Sequence, residues 1–79
     1  MSPSALVRHL VVSLVDHPDA VEVRESETVS STLIELRVHP DDLGKVIGRK
    51  GQTARALRSV LAAASLHHHR RTLLNILEE

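Results

Sequence analysis

The chain contains no phenylalanine, tyrosine or tryptophan among its 79 residues. Many modules that bind single-stranded nucleic acid stack the bases on aromatic side chains, and that class of site is excluded here. A nucleic-acid site in this chain would have to use aliphatic side chains, backbone groups and cations. Cysteine is also absent, which excludes disulfide bonds and thiolate zinc sites and is compatible with a reducing cytoplasm.

Long hydrophobic runs are missing as well. No apolar stretch approaches the roughly 18 residues that a membrane span needs. Arg8 and His9 interrupt the apolar N-terminal run, and Asp-His-Pro-Asp at positions 16–19 follows it where a signal peptide would have a small-residue cleavage site. We therefore predict a cytoplasmic protein with one domain over residues 1–79. So short a chain buries a small core, which favours a partner subunit.

Acidic residues are absent from most of the second half of the chain. The formal net charge is zero, from ten basic and ten acidic residues. Eight acidic and three basic residues lie between Met1 and Gly44, whereas Lys45 to Arg71 contains seven basic residues and no acidic one. The second half is therefore the part that would attract a polyanion.

Hydrophobic periodicity predicts the element order α-β-β-α-α-β. The predicted segments are a helix from Ser4 to Val15, a short strand at Val21–Arg24, a polar connection at Glu25–Ser31, a strand at Ile34–His39, a short helix around Leu43–Ile47, a break at Gly48–Gly51, a helix from Gln52 to Ser65 and a strand from Arg70 to Leu77. The long connection before the last strand permits a parallel pair. We predict an α+β domain with a three-stranded mixed sheet and the helices packed on one face. Leu33, Leu73 and Leu77 would lie on the other face, which is apolar enough to indicate a partner.

The most informative stretch is Gly44-Lys45-Val46-Ile47-Gly48-Arg49-Lys50-Gly51. It is not a phosphate-binding P-loop, because three residues rather than four separate Gly44 from Gly48 and Gly51 follows Lys50. The glycine spacing also differs from a dinucleotide-binding fingerprint, and no long apolar segment surrounds it as in a membrane dimer motif. Two glycines that bracket two cations instead predict a tight, positively charged turn.

Between two predicted helices, the run Val46-Ile47-Gly48-Arg49-Lys50-Gly51 resembles the G-x-x-G loop of the KH domain, a module that binds RNA and single-stranded DNA. The element order is that of the type II KH domain. In length and in the run from Gly44 to Leu61, the chain is similar to the KhpA family, the small single-KH proteins of bacteria. The resemblance covers essentially the whole chain, and implies a cytoplasmic RNA binder that forms homodimers and pairs with a KhpB (Jag/EloR) protein.

The resemblance also implies where RNA would bind. Gly48 and Gly51 would let a sugar–phosphate backbone come close, so that the loop clamps about four nucleotides. Arg49 and Lys50 would add charge, and the following helix would direct its N-terminus at the phosphates. We expect an RNA chaperone or post-transcriptional regulator with the binding residues Lys45, Val46, Ile47, Gly48, Arg49, Lys50, Gly51 and Arg55.

Several alternatives stay open at this point. The loop could be a plain helix–helix turn, the KH fold could have lost RNA binding, or single-stranded DNA could be the preferred ligand. The chain could also be mainly a protein-interaction module that forms a homodimer or docks on a KhpB-type partner, with RNA binding secondary.

No enzyme, metal site or cofactor is expected. The neighbouring Asp41 and Asp42 are explained by the start of a helix, and no nucleophile has a positioned base. His9, His17 and His39 have no companions at ligand spacing in the sequence. The run His67–His69 consists of consecutive residues that would not converge on one ion, so we predict a solvated link there.

Overall fold

The structure is a computed structural model that describes residues 2–68 and 71–77. Within these residues the element order is α-β-β-α-α-β, as predicted. The elements are α1 (Pro3–Val12), β1 (Glu22–Glu27), β2 (Ser31–Arg37), α2 (Leu43–Ile47), α3 (Gln52–His68) and β3 (Arg71–Ile76), with short 3-10 turns at Pro18–Ala20, Pro40–Asp42 and Arg49–Gly51. None of the helices in the described part of the chain is both long enough and apolar enough to cross a bilayer.

The three strands form one mixed sheet in the order β1-β2-β3. β1 is antiparallel to β2, and β2 is parallel to β3. The predicted mixed sheet is thus confirmed, and so is the α+β class. Because α2, the glycine turn and α3 connect the parallel pair, the candidate loop lies within the crossover between two neighbouring strands.

The β1–β2 connection is shorter than predicted. Residues up to Glu27 pair with β2, where Glu27 lies opposite Thr32. The turn is closed by the amide of Thr28, which donates to the carbonyl of Ser31 at 2.8 Å, and by the amide of Ser31, which donates to Oγ1 of Thr28 at 3.0 Å. The sequence showed no alternation of apolar residues here because both faces of this end of β1 are exposed.

The core lies between the sheet and the helices. Along β2, Thr32, Ile34 and Leu36 are buried, and the residues between them are only partly covered. The helices cover this face with Val7 and Val11 of α1, Val46 of α2 and Ala54, Leu57 and Leu61 of α3. Each large aliphatic side chain buried in this way contributes roughly 1.5–3 kcal/mol. The helical spacing of apolar residues in the sequence predicts Leu14 and Val60 on the same buried faces, but they are 44% and 40% exposed.

The opposite face of the sheet carries the predicted leucines among charged residues. Leu33 lies beside Leu73 in the parallel ladder. On the other side of β2, Arg37 faces Glu22 and Glu35 faces Arg24. This face therefore combines a small apolar strip with cross-strand pairs of opposite charge, each pair of a kind that stabilises a sheet by roughly 0.2–1 kcal/mol.

Two helix boundaries differ from the predictions. α1 ends at Val12 rather than Val15, and its N-terminus is capped by Ser2, whose hydroxyl accepts from the amide of Ala5 at 3.2 Å. α3 continues to His68 instead of ending at Ser65. The backbone of two residues of the predicted histidine link is therefore helical, whereas His69 and Arg70 lie outside the described residues.

Candidate nucleic-acid interface

The turn between α2 and α3 depends on its two glycines. Gly48 has φ of 77° and Gly51 has φ of 74°, in the left-handed region that favours glycine. A Cβ atom at Gly48 would also lie 2.3 Å from Oγ1 of Thr53, whereas one at Gly51 would meet none of the described residues within 4 Å. Backbone conformation and close packing therefore both require glycine at position 48, and conformation alone requires it at position 51.

The turn uses some of its amides internally and leaves others available. The Gly48 amide donates to the Gly44 carbonyl at 2.8 Å, and the Gly51 amide donates to the Gly48 carbonyl at 3.1 Å. Among the described residues, the amides of Arg49 and Lys50 have no acceptor. The turn can therefore offer two neighbouring N–H donors to an anionic ligand.

The two cations of the turn are exposed to solvent. Neither Arg49 nor Lys50 forms an ion pair with any carboxylate in the described part of the chain. Lys50 has φ of 55° and ψ of 26°, an uncommon backbone conformation for a residue with a side chain. The turn therefore combines a strained backbone at Lys50 with two adjacent amides and two cations that the described residues leave unpaired. Such an arrangement can bind a phosphate group.

Lys45 is placed differently from the other cations of the motif. Its ammonium group contacts Oδ2 of Asp16 and lies 3.6 Å from Oδ1 of Asp42. The hydrogen bond to Asp16 raises the pKa of Lys45, with further electrostatic contributions from both carboxylates. Its charge is thus neutralised by the protein, in contrast to the charges of Arg49 and Lys50.

A groove begins at the turn and follows the first turns of α3 toward the end of β3. Its lining residues are Ile47, Gly51, Ala54, Arg55, Arg58 and Ile76. Of the two predicted apolar contacts, Ile47 lines this groove, whereas Val46 is fully buried in the core. Val46 therefore supports the floor from below, and a base in the groove would meet Ile47 and Ile76.

Two arginines of α3 lie along this groove. Arg55 is exposed and has no ion-pair partner among the described residues. Arg58 donates through Nη2 to the carbonyl of Leu74 at 3.4 Å, so it joins α3 to β3. Arg55 is therefore the freer of the two cations, and Arg58 helps to hold the wall of the groove.

Asp42 has a structural role that the sequence did not reveal. It precedes α2, as predicted, but its buried carboxylate makes no cap to that helix. It accepts instead from the amides of Asp16 and His17 at 3.2 Å and 2.9 Å. Burial alone would raise the pKa of Asp42; these two bonds and the His17 side chain outweigh it and lower the pKa to about 2. Asp42 thus fastens the α1–β1 connection to the base of α2.

His17 and His39, which have no companions at ligand spacing in the sequence, lie at the surface and contact each other. Their rings are stacked, with centroids 4.0 Å apart and an angle of 13° between the planes. The Pro18–Ala20 turn and the end of β2 bring together two residues that are far apart in the chain, so no local spacing could indicate the contact.

Comparison with known proteins places this arrangement in a family. A family model described as "KhpA/KhpB, KH domain" matches residues 4–76. A protein named RNA-binding protein KhpA from Halalkalibacterium halodurans is 55% identical over 73 residues, which cover 92% of this chain and 96% of that protein. Proteins of the same name from Streptomyces coelicolor and Bacillus subtilis are 56% and 40% identical, over 72% and 92% of this chain and 72% and 90% of theirs.

A solved structure shares the fold. A crystal structure of an Aquifex aeolicus Era variant bound to GDP and AlF4⁻ superposes with a TM-score of 0.66 at 20% identity, over 94% of this chain and 29% of that one. At this identity the likeness concerns the fold alone. The expectation that the chain is not an enzyme is confirmed by its relatives, which are named as RNA-binding proteins. From the match over residues 4–76 and these identities, the chain belongs to the KhpA/KhpB family of bacterial KH domains.

Proposed function

We propose that this chain binds single-stranded RNA in the groove between the Gly48–Gly51 turn, α3 and the end of β3. The observation that carries the proposal is the turn itself, where two exposed cations lie beside two amides, and none of the four has a carboxylate partner or acceptor in the part of the chain that the structure describes. The relatives are named RNA-binding proteins, which supports RNA as the ligand.

In this proposal the nucleic-acid backbone crosses the turn and the bases enter the groove. Gly48 and Gly51 present no side chain, so a phosphate can approach the amides of Arg49 and Lys50. The positive end of α3 adds to the attraction. Ile47 and Ile76 provide the aliphatic surface for bases, and Arg55 is placed to meet a further phosphate. Lys45 flanks the site with its charge already neutralised by Asp16 and Asp42.

The length and strength of binding follow from this geometry. A loop of this kind clamps about four nucleotides. Without aromatic stacking, one such site gives weak and sequence-tolerant binding, unless two copies act together and raise the avidity. We propose that such binding serves a chaperone or post-transcriptional regulatory role. The cytoplasmic location and the single domain over residues 1–79 stay predictions from the sequence.

The test is a titration of fluorescently labelled RNA with the wild type and with Arg49→Asp/Lys50→Asp. We expect the affinity to fall by about tenfold or more, because reversal of the charge turns attraction of phosphate into repulsion.

The control compares the single variants Arg49→Asp and Arg24→Asp. Both change the net charge by the same amount, but Arg24 lies on the open face of the sheet. Circular dichroism checks that all variants are folded. Equal losses for Arg49→Asp and Arg24→Asp would contradict the proposed site. Matched DNA oligonucleotides show whether the 2′-hydroxyl contributes.

A second surface supports homodimer formation, the other role implied by the family resemblance. A shallow cleft between α1 and α3 is lined by Leu10, Ser13, Leu14, Thr53, Ala56, Leu57 and Val60. Nearly all of its exposed surface is apolar, whereas the leucines of the open sheet face lie among paired charges. We therefore propose that a second copy packs on the α1–α3 cleft, with a KhpB-type partner as the alternative occupant.

Light scattering with two matched variants tests this assignment. Val60→Glu places a charge in the α1–α3 cleft, and Leu73→Glu places one on the open sheet face; both positions are 40% exposed. We expect Val60→Glu to give a monomer and Leu73→Glu to leave the dimer intact. If Leu73→Glu is a monomer and Val60→Glu is a dimer, the dimer interface lies on the open sheet face. If the wild type is a monomer, the cleft is not a homodimer interface and the KhpB-type partner becomes its proposed occupant.

A further inference from the structure

Three potential metal ligands converge on the side of α2 away from the glycine turn. His17 lies in the α1–β1 connection. His39 lies between β2 and the 3-10 turn at Pro40–Asp42, and Asp41 lies within that turn. One ligand atom from each residue lies within 4.8 Å of the other two. The three side chains are each partly exposed, so an ion could reach them from solvent.

The hydrogen bonds around the two rings fix which nitrogen atoms can bind an ion. Nδ1 of His17 is 3.1 Å from Oδ2 of the buried Asp42. Since an ionised carboxylate only accepts hydrogen bonds, this nitrogen carries the proton and Nε2 keeps its lone pair. Nδ1 of His39 accepts from the amide of Asp41 at 3.1 Å, so it is unprotonated and its lone pair is engaged in this bond. Nε2 of His17 therefore has a free lone pair, and Nδ1 of His39 can bind an ion only in place of the Asp41 amide.

The contact between His17 and Asp42 matches a recurrent feature of metal sites. Histidine ligands commonly donate their second N–H to a carboxylate, which orients the ring and raises its basicity. Asp42 is fully buried and is held by two backbone amides, so it is a rigid acceptor. This contact is independent of the clustering of His17, His39 and Asp41.

We propose that His17, His39 and Asp41 form a binding site for a divalent transition-metal ion of the Zn²⁺ type. Imidazole nitrogen and carboxylate oxygen are ligands that Zn²⁺ prefers, and three protein ligands leave one position for water. In a tetrahedral site, atoms about 2.1 Å from the ion lie about 3.4 Å apart. Nδ1 of His39 and Oδ2 of Asp41 are already 3.7 Å apart, and the stacked rings must turn toward the ion to complete the site.

The binding test is a calorimetric titration of the untagged protein with ZnCl2. Single histidines elsewhere in the chain can bind zinc weakly, so the titration uses a chain in which His67, His68 and His69 are changed to glutamine. We expect one ion per chain in that background. His39→Gln and Asp41→Asn should each weaken binding by about 10-fold or more, and His9→Gln, which changes an exposed histidine of α1, should leave it unchanged.

Thermal unfolding followed by circular dichroism gives a second readout. An ion that bridges residues 17 and 39 binds the folded state more tightly than the unfolded chain, so excess Zn²⁺ should raise the Tm and EDTA should reverse the rise. Asp41→Asn should reduce this rise, and its own folding in EDTA is checked in the same experiment. Absence of zinc binding in the background with the three substitutions at positions 67–69, or equal effects of His9→Gln and His39→Gln, would overturn the proposal.

Discussion

Gly48 and Gly51 share a positive φ but differ in their surroundings, which makes them a useful pair for mutation. Alanine at either position must adopt a positive φ, at a cost of about 1–2 kcal/mol. At Gly48 the new Cβ would also overlap the side chain of Thr53. We expect Gly51→Ala to lower the free energy of unfolding by about 1–2 kcal/mol and Gly48→Ala to lower it further. Urea unfolding followed by circular dichroism measures both, and equal losses would contradict the described contact.

Asp42 makes stability depend on pH in a defined acid range. Its pKa in the folded protein is about 2, below the ordinary value of 3.8. The ionised form is therefore favoured by folding, so its contribution is fully present above about pH 4 and is lost as the pH falls toward 2. We expect Asp42→Asn to lower the Tm at pH 7 by about 10 °C. EDTA is added so that no bound metal ion contributes to the Tm. The difference in Tm between Asp42→Asn and the wild type should shrink below pH 4, and a constant difference down to pH 2 would contradict this role.

At the scale of the element, α3 combines a free cation with a bound one. Arg55 has no partner among the described residues, whereas Arg58 donates to the Leu74 carbonyl. We expect Arg55→Ala to reduce the slope of log affinity against log salt by about 0.7, the value for one phosphate contact on a single strand, without changing the Tm. Arg58→Ala should lower the Tm as well. Titrations at several salt concentrations separate the two, and an unchanged slope for Arg55→Ala would remove it from the site.

The elements were largely predictable because their patterns are local. Alternation identified β2, and the spacing of Ala54, Leu57 and Leu61 identified α3. Two local signals misled: the polar end of β1 lacked alternation because neither face is buried, and Leu14 and Val60 continued apolar stripes beyond the surface that the fold covers. The glycine turn was recognisable because its requirement is local as well.

Long-range contacts of the site could not be predicted in the same way. Three contacts join segments more than 20 positions apart. They are the ion pair of Lys45 with Asp16, the hydrogen bonds that Asp42 accepts from the α1–β1 connection, and the stacking of His17 on His39. Residue types alone do not specify these pairs, since the same side chains are equally suited to solvent. Their partners follow from the packing of α1 and α2 against the sheet.

At the scale of the whole molecule, the small core links stability to assembly. If a second copy covers the α1–α3 cleft, dimer formation stabilises the folded state by mass action. We expect the Tm of the wild type to rise with protein concentration and the Tm of Val60→Glu to be independent of it. Calorimetry over a hundredfold range of concentration measures this. A wild-type Tm that does not change with concentration would contradict a folding-linked dimer.

The parallel pairing of β2 with β3 has a consequence for the order in which the molecule is built. Paired residues such as Ser31 and Arg71 are 40 positions apart, whereas the β1–β2 hairpin closes through a turn of a few residues. Closing the longer loop costs more entropy and proceeds more slowly. We therefore expect the groove, which needs β3 for one wall, to assemble late and to open early. Amide hydrogen exchange should accordingly be faster in β3 than in β2, and ligand in the groove should slow it.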